Sequence, residues 1–233
     1  MRNIKNNVLK YAKLAHRAVR PLPVQPEFLH ADVPYFCQWE SRNLAQKILN
    51  HTISTDDDPK WKASGAESKK EYHDWSWTGC GMACTKMILA HRTGKVVPLV
   101  QLGKMCASYG GYTLPLEDSI GLLYKPYVTF VAREFGWQAR VVQGMSIKEL
   151  MHNLGLGNYV IAGVSPKIRD PQSTPAVKGG HLILMLGYSL PKKEFYFHNP
   201  SGISAKTQEY ATISFAGFKK FFSERAIVIH TGE

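Results

Sequence analysis

Apolar residues recur at helical spacing through the first half of this chain and in short strand-like runs through the second. From Cys80 onward Ala83, Met87, Ile88 and His91 fall near one face, which predicts a helix starting at Cys80. A short helix is predicted upstream over residues 43–50. Two more follow over 99–109 and 116–135, the second interrupted near Pro126. After Gly136 the rhythm changes. Residues 137–142 read as a strand, and Ser146-Ile147-Lys148-Glu149 is a capping box opening a short helix that Gly155 or Gly157 closes. Residues 159–164, the apolar run after His181 and the aromatic run 194–198 read as buried strands. Strands are also expected over 33–38, 210–214 and 226–229, with a helical turn over 218–222. Helices first and an antiparallel sheet later is the pattern of an α+β fold.

A length of 233 residues, 44% of them hydrophobic, suits one domain large enough for a substantial core. Lys+Arg 29 against Asp+Glu 18 gives a net charge of +11, so an anionic partner or surface fits the chain. A sequence-specific nucleic-acid reader is not expected, because no repeated aromatic-basic module is present. Residues 1–20 carry Arg2, Lys5, Lys10, Lys13, Arg17 and Arg20 without an acid. Ile4, Val8, Tyr11, Ala15 and Ala18 share a face, so the segment reads as a basic amphipathic helix. Such a helix packs on its domain or lies on an anionic cell wall or membrane. Pro21, Pro23 and Pro26 extend the chain beyond it. The expected organisation is a helix and Pro-rich linker over 1–30, then one domain over 31–233 with an insertion at about 41–75.

No apolar run reaches the ~18 residues of a membrane span, and the N-terminus lacks an apolar signal core. The chain is therefore expected in the cytoplasm as synthesised, with export by a dedicated system or by lysis left open. Cys37, Cys80, Cys84 and Cys106 are too few and too unevenly spaced for a disulfide framework. Cys80 and Cys84 could supply one pair of zinc ligands, but no second Cys or His pair stands at ligand spacing. Asp56 to Asp58 lack the calcium-loop pattern and read as a solvated acidic turn. No metal or cofactor is expected.

Trp77-Thr78-Gly79-Cys80-Gly81 reads as a Gly-containing turn that delivers Cys80 to a helix N-terminus, where free backbone N–H groups and the macrodipole favour a thiolate. The thiol pKa is expected below its free value, and Gly81 leaves room for a substrate backbone. Downstream, Lys178-Gly179-Gly180-His181 precedes one apolar strand, and Asn199 ends the next at Pro200-Ser201-Gly202. A hairpin of those strands sets His181 beside Asn199. Nucleophile, base and orienter for thiol acyl transfer are then complete. His198 points to the opposite face by strand alternation. Cys84, one turn after Cys80, reads as a buried small residue.

Cys-Gly-x-Ala-Cys opening a helix, Gly-Gly-His before an apolar strand, Asn-Pro-Ser-Gly after the next, and the upstream Val33-Pro34-Tyr35-Phe36-Cys37-Gln38 resemble the bacteriocin-leader (double-glycine) processing peptidases, within the papain-like cysteine peptidases. The resemblance runs from Val33 to the C-terminus. It implies a papain-like α+β fold, N-terminal helices packed on an antiparallel sheet, and a peptide or protein substrate with small residues at the cut. It also implies that the Gln38 side chain joins the Cys80 backbone N–H as oxyanion donor. Gly79, Gly81, Trp77 and Gly180 are the expected substrate contacts. Many relatives place the Gln much closer to the Cys. Here a long segment intervenes, and its Trp61, Trp75 and Trp77 suggest a lid or substrate wall. Alternatives are a hydrolase of cell-wall peptide, as in phage lysins or secreted effectors, and a non-catalytic binding module on the same fold. The oligomeric state is not legible.

Overall fold

The computed structural model describes residues 24–231; the basic helix expected over 1–20, with Pro21 and Pro23, lies outside them. Seven strands form one sheet: β1 (Glu27–Leu29), β2 (Ala139–Gln143), β3 (Tyr159–Val164), β4 (His181–Ser189), β5 (Glu194–His198), β6 (Ala211–Ser214) and β7 (Phe222–Ile229). Their order is β2-β7-β3-β4-β5-β6, every pairing is antiparallel, and β1 pairs with the end of β4. All nine residues of β4 are buried, as its unbroken apolar run predicts for a central strand covered on both faces.

The helices are α1 (Ala45–Leu49), α2 (Lys69–Thr78), α3 (Cys80–Thr93), α4 (Leu99–Ser108), α5 (Tyr124–Phe135), α6 (Ile147–Gly155), α7 (Ala205–Gln208) and α8 (Phe215–Phe221). Strand alternation divides the core in two. Leu182, Leu184 and Leu186 of β4 join Met87 and Ile88 of α3, Leu102 of α4 and Phe130 of α5 on one face. Ile183 and Met185 join Leu150 and Leu154 of α6 and Phe221 of α8 on the other. Every residue of α3 from Gly81 to Ala90 is buried. The helix that opens with Cys80 is thus the spine of the N-terminal half, clamped between sheet and helices.

Three expectations are corrected. Residues 33–38 form no strand. Their polar groups are taken by side chains and a turn: Val33 N–H donates to Tyr210 Oη at 2.9 Å, Val33 O accepts from His198 Nε2 at 2.9 Å, and Gln38 N–H donates to Pro200 O at 2.8 Å. Within the segment expected as linker, Glu27–Leu29 instead forms β1, opposite Gly187 to Ser189. Phe28 O lies so close to Gly187 that a Cβ there would collide with it. Pro126 does not interrupt its helix but occupies the first turn of α5, where a missing N–H costs nothing.

The insertion has a small core of its own, with Trp39, Ala45, Ile48 and Tyr72 at its centre. Asp58, expected in a solvated turn, is 1% exposed. It accepts from Ser41 N–H at 3.0 Å, Ser41 Oγ at 2.6 Å, Tyr72 Oη at 2.5 Å and Lys60 N–H at 2.9 Å. Burial works against its charge, but these donors prevail and hold the carboxyl below its ordinary range.

Candidate active site

Cys80 lies at a junction of helices, where a turn was expected. The Trp77-Thr78 pair closes α2, Gly79 bridges at φ −78° and ψ 0°, and α3 begins at once. Of the four cysteines, Cys37, Cys84 and Cys106 are buried and Cys80 alone is half-buried as a residue. The helix N-terminus does not win the contest for its charge. Burial pushes the Cys80 thiol up, while the backbone amides of Leu182 and Gly81 and the positive charge of Arg169 pull it down by less. The expected low pKa is corrected on that ground.

The Leu182 amide at the Cys80 sulfur puts His181, the residue before it, at the same end of the sheet. The Gly179 and Gly180 backbones, at φ +112° and +89°, make the turn into β4 that an L side chain resists. His181 is buried, with Nε2 2.8 Å from Asn199 Oδ1 and 3.0 Å from Ser201 Oγ. Asn199 Oδ1 also accepts from Ser201 N–H at 3.1 Å, which identifies it as the oxygen of the amide. His181 Nε2 therefore carries the hydrogen, and Nδ1 is left as the base. Ser201 Oγ in turn accepts from Arg169 Nε at 2.8 Å. Burial and the Arg169 charge push His181 down to about 3, against the opposing Asn199 hydrogen bond. Both shifts run against charge, burial favouring the neutral thiol and the neutral imidazole.

Gln38 reaches the same place from the other side. Its N–H is on Pro200 O, next to Asn199, and its Nε2 donates at 2.8 Å to Ser76 O, one turn before Cys80. The second Nε2 hydrogen has no acceptor among the described residues. Asn199 Nδ2 is buried without a partner as well. His198, as alternation predicts, serves elsewhere: Nδ1 accepts from Tyr210 N–H at 3.0 Å while Nε2 holds Val33 O.

The expected substrate contacts fare unevenly. Gly79 and Gly81 are buried; a Cβ on Gly79 would lie 3.0 Å from Leu99, and one on Gly81 2.7 Å from Leu122 and 3.1 Å from Leu182. Both glycines serve the packing of α3, and neither faces an open surface. The Trp77 ring packs on Trp39 at 5.5 Å and His51 at 5.7 Å, away in the insertion's core. Gly180 is exposed at the start of β4. The open space beside the site is a cleft of about 560 Å³ between α1, which supplies Leu49, and the segment Pro166–Arg169 with Val177. The insertion does form a wall, but through α1 and not through its tryptophans. Arg169 and Ser201 are the residues that sequence reasoning missed. In the sequence Arg169 is only one of three basic residues, with Lys167 and Lys178, between β3 and His181.

A family model described as the Peptidase_C39 like family matches residues 31–227. Among solved structures, the chain is similar to a protein described as a C39-like peptidase from Bacillus anthracis. The TM-score is 0.55 at 14% identity, covering 90% of this chain and 100% of that one. The peptidase domain of Streptococcus ComA, described as a bifunctional ABC transporter of a quorum-sensing pathway, gives 0.45 at 13% identity, covering 66% of this chain and 93% of that one. No curated protein sequence matches the chain.

Proposed function

The chain belongs to the C39-like peptidase family, and from that premise we propose that it cuts peptide bonds with Cys80 as nucleophile, His181 as base, Asn199 as orienter and Gln38 as oxyanion donor. The observation that carries this reading is the 2.8 Å bond from His181 Nε2, at the start of β4, to Asn199 Oδ1, just past the end of its partner β5, beside the one cysteine that is not buried. His181 Nδ1 takes the thiol proton as the sulfur attacks the carbonyl carbon. The oxyanion is held by the second Gln38 Nε2 hydrogen and the Cys80 N–H. The imidazolium then returns its proton to the leaving amine, leaving a thioester. Water, deprotonated by the same imidazole, releases the acid and restores the thiol.

Asn199 orients the imidazole without a full negative charge. A resting ion pair therefore gains little from the third member, which agrees with shifts that favour the neutral thiol and the neutral imidazole. Peptides with small residues at the cut are the substrate class that the double-glycine resemblance suggests. The net charge of +11 favours a second reading, cell-wall peptide held on an anionic polymer. Purified protein is to be assayed on internally quenched Gly-Gly peptides and on bacterial walls in parallel. Cys80→Ala should lose at least about 10⁴-fold in rate, as loss of a nucleophile does, and His181→Ala nearly as much. Full hydrolysis by Cys80→Ala on whichever substrate is cut would refute the mechanism.

A further inference from the structure

Arg169 ends the short helical turn Pro166–Arg169 and is held from one side only. Its Nε donates to Ser201 Oγ at 2.8 Å and to Ser201 O at 3.1 Å. Among the described residues no carboxylate pairs with it, and its two terminal nitrogens make no hydrogen bond. Asp170, the nearest acid in sequence, also lines the cleft, but its Oδ1 accepts from Gln172 N–H at 3.1 Å. A half-buried guanidinium without a counter-ion carries an uncompensated desolvation cost. Its planar fork of donors matches a carboxylate in two-point geometry.

The charge also borders an open cleft next to the site, although none of the four candidate catalytic residues lines it. Arg169 lines the cleft of about 560 Å³, together with Lys167 and the apolar Leu49, Pro166, Val177 and Ile203. Through Ser201 it is one hydrogen bond removed from His181 Nε2. Its charge is felt at both His181 and Cys80. We propose that this cleft selects substrates bearing a carboxylate close to the bond being cut, gripped by the terminal nitrogens of Arg169 while Nε stays on Ser201. The apolar walls take the aliphatic part of the acidic residue. The inference rests on the peptidase reading above and deepens it.

Two alkylating agents that differ in a carboxylate, iodoacetate and iodoacetamide, test the charge recognition without knowledge of the natural substrate. With Cys80→Ala as the labelling control, the iodoacetate-to-iodoacetamide rate ratio at Cys80 should fall about tenfold in Arg169→Gln, the scale of one unit charge at close range. Arg169→Lys should retain most of it. Added salt should depress the ratio in the unmodified protein, which supplies a readout should Arg169→Gln not fold. An equal ratio in the unmodified protein and Arg169→Gln, or one indifferent to salt, overturns the inference. Quenched Gly-Gly peptides with Glu or Gln at each flanking position supply the second arm. A KM-driven preference for Glu that disappears in Arg169→Gln supports the inference, and equal kcat/KM for Glu and Gln overturns it while sparing the peptidase reading. Failure to cut any peptide or wall, with the alkylation ratio still dependent on Arg169, removes the peptidase reading and leaves the carboxylate site.

Discussion

Gln38 shows how a single amide can serve two masters. One Nε2 hydrogen is fixed on Ser76 O and the other has no acceptor among the described residues, which under the proposed function is the hydrogen that meets the oxyanion. Gln38→Ala should lower kcat by about 10²–10³-fold with little effect on stability at room temperature, the size found for one oxyanion donor. A rate within about twofold of the unmodified protein would remove Gln38 from the site. Asn199→Ala should cost about 10–100-fold, the penalty of a misplaced base. The raised Cys80 thiol makes a sharper statement. Iodoacetamide labelling of Cys80 should climb with pH into the range above an ordinary thiol pKa. A rate that is already flat near pH 5 would reveal a standing ion pair and contradict the raised thiol. Cys80, His181 and Asn199 were visible as candidates because each stands at a break in periodicity next to Gly or Pro, and Gln38 only through the family resemblance. Arg169 was not, since its meaning comes from Ser201, which reaches it across the gap between two turns.

The elements were mostly legible where periodicity was long, as in α3, α6 and β3 to β5. They failed where tertiary partners replaced local ones. The segment 33–38 reads as a strand in sequence but bonds to Tyr210, His198 and the Pro200 turn. In the segment after Gln38 the acidic turn was read as solvated, whereas its Asp58 is a buried organising charge. Asp58 ties Ser41, Lys60 and Tyr72 into one unit, and that unit carries the α1 wall of the cleft. Asp58→Ala should destabilise the protein by about 3 kcal/mol, as loss of several hydrogen bonds to a charged group does, and should raise KM more than it lowers kcat. Denaturant melts and steady-state kinetics check both. Unchanged stability would mean that the insertion is held by its tryptophans instead.

At the scale of the molecule, the α+β class was readable from the switch between rhythms, but the strand order was not. The order depends on pairings such as β3 with β7 that no local pattern encodes. Of three buried imidazoles with lowered pKa, His30, His181 and His198, the last two are shifted furthest toward the neutral form. His181 is pushed down to about 3 and His198 to about 4, both chiefly by burial, from an ordinary 6.5. Between those values the unfolded chain binds more protons than the folded one, so stability is full above about pH 6.5 and is lost as the pH falls toward 4. Thermal melts should show Tm dropping steadily from about pH 7 to about pH 4.5; a flat profile would mean that neither imidazole is buried neutral.

The most direct measurement is intact and peptide-mapped mass spectrometry of enzyme quenched during turnover of whichever peptide or wall substrate it cuts. The expected result is an acyl group on Cys80, absent from Cys80→Ala together with the activity. Hydrolysis that continues in Cys80→Ala, or an acyl group borne by another residue, would contradict the account.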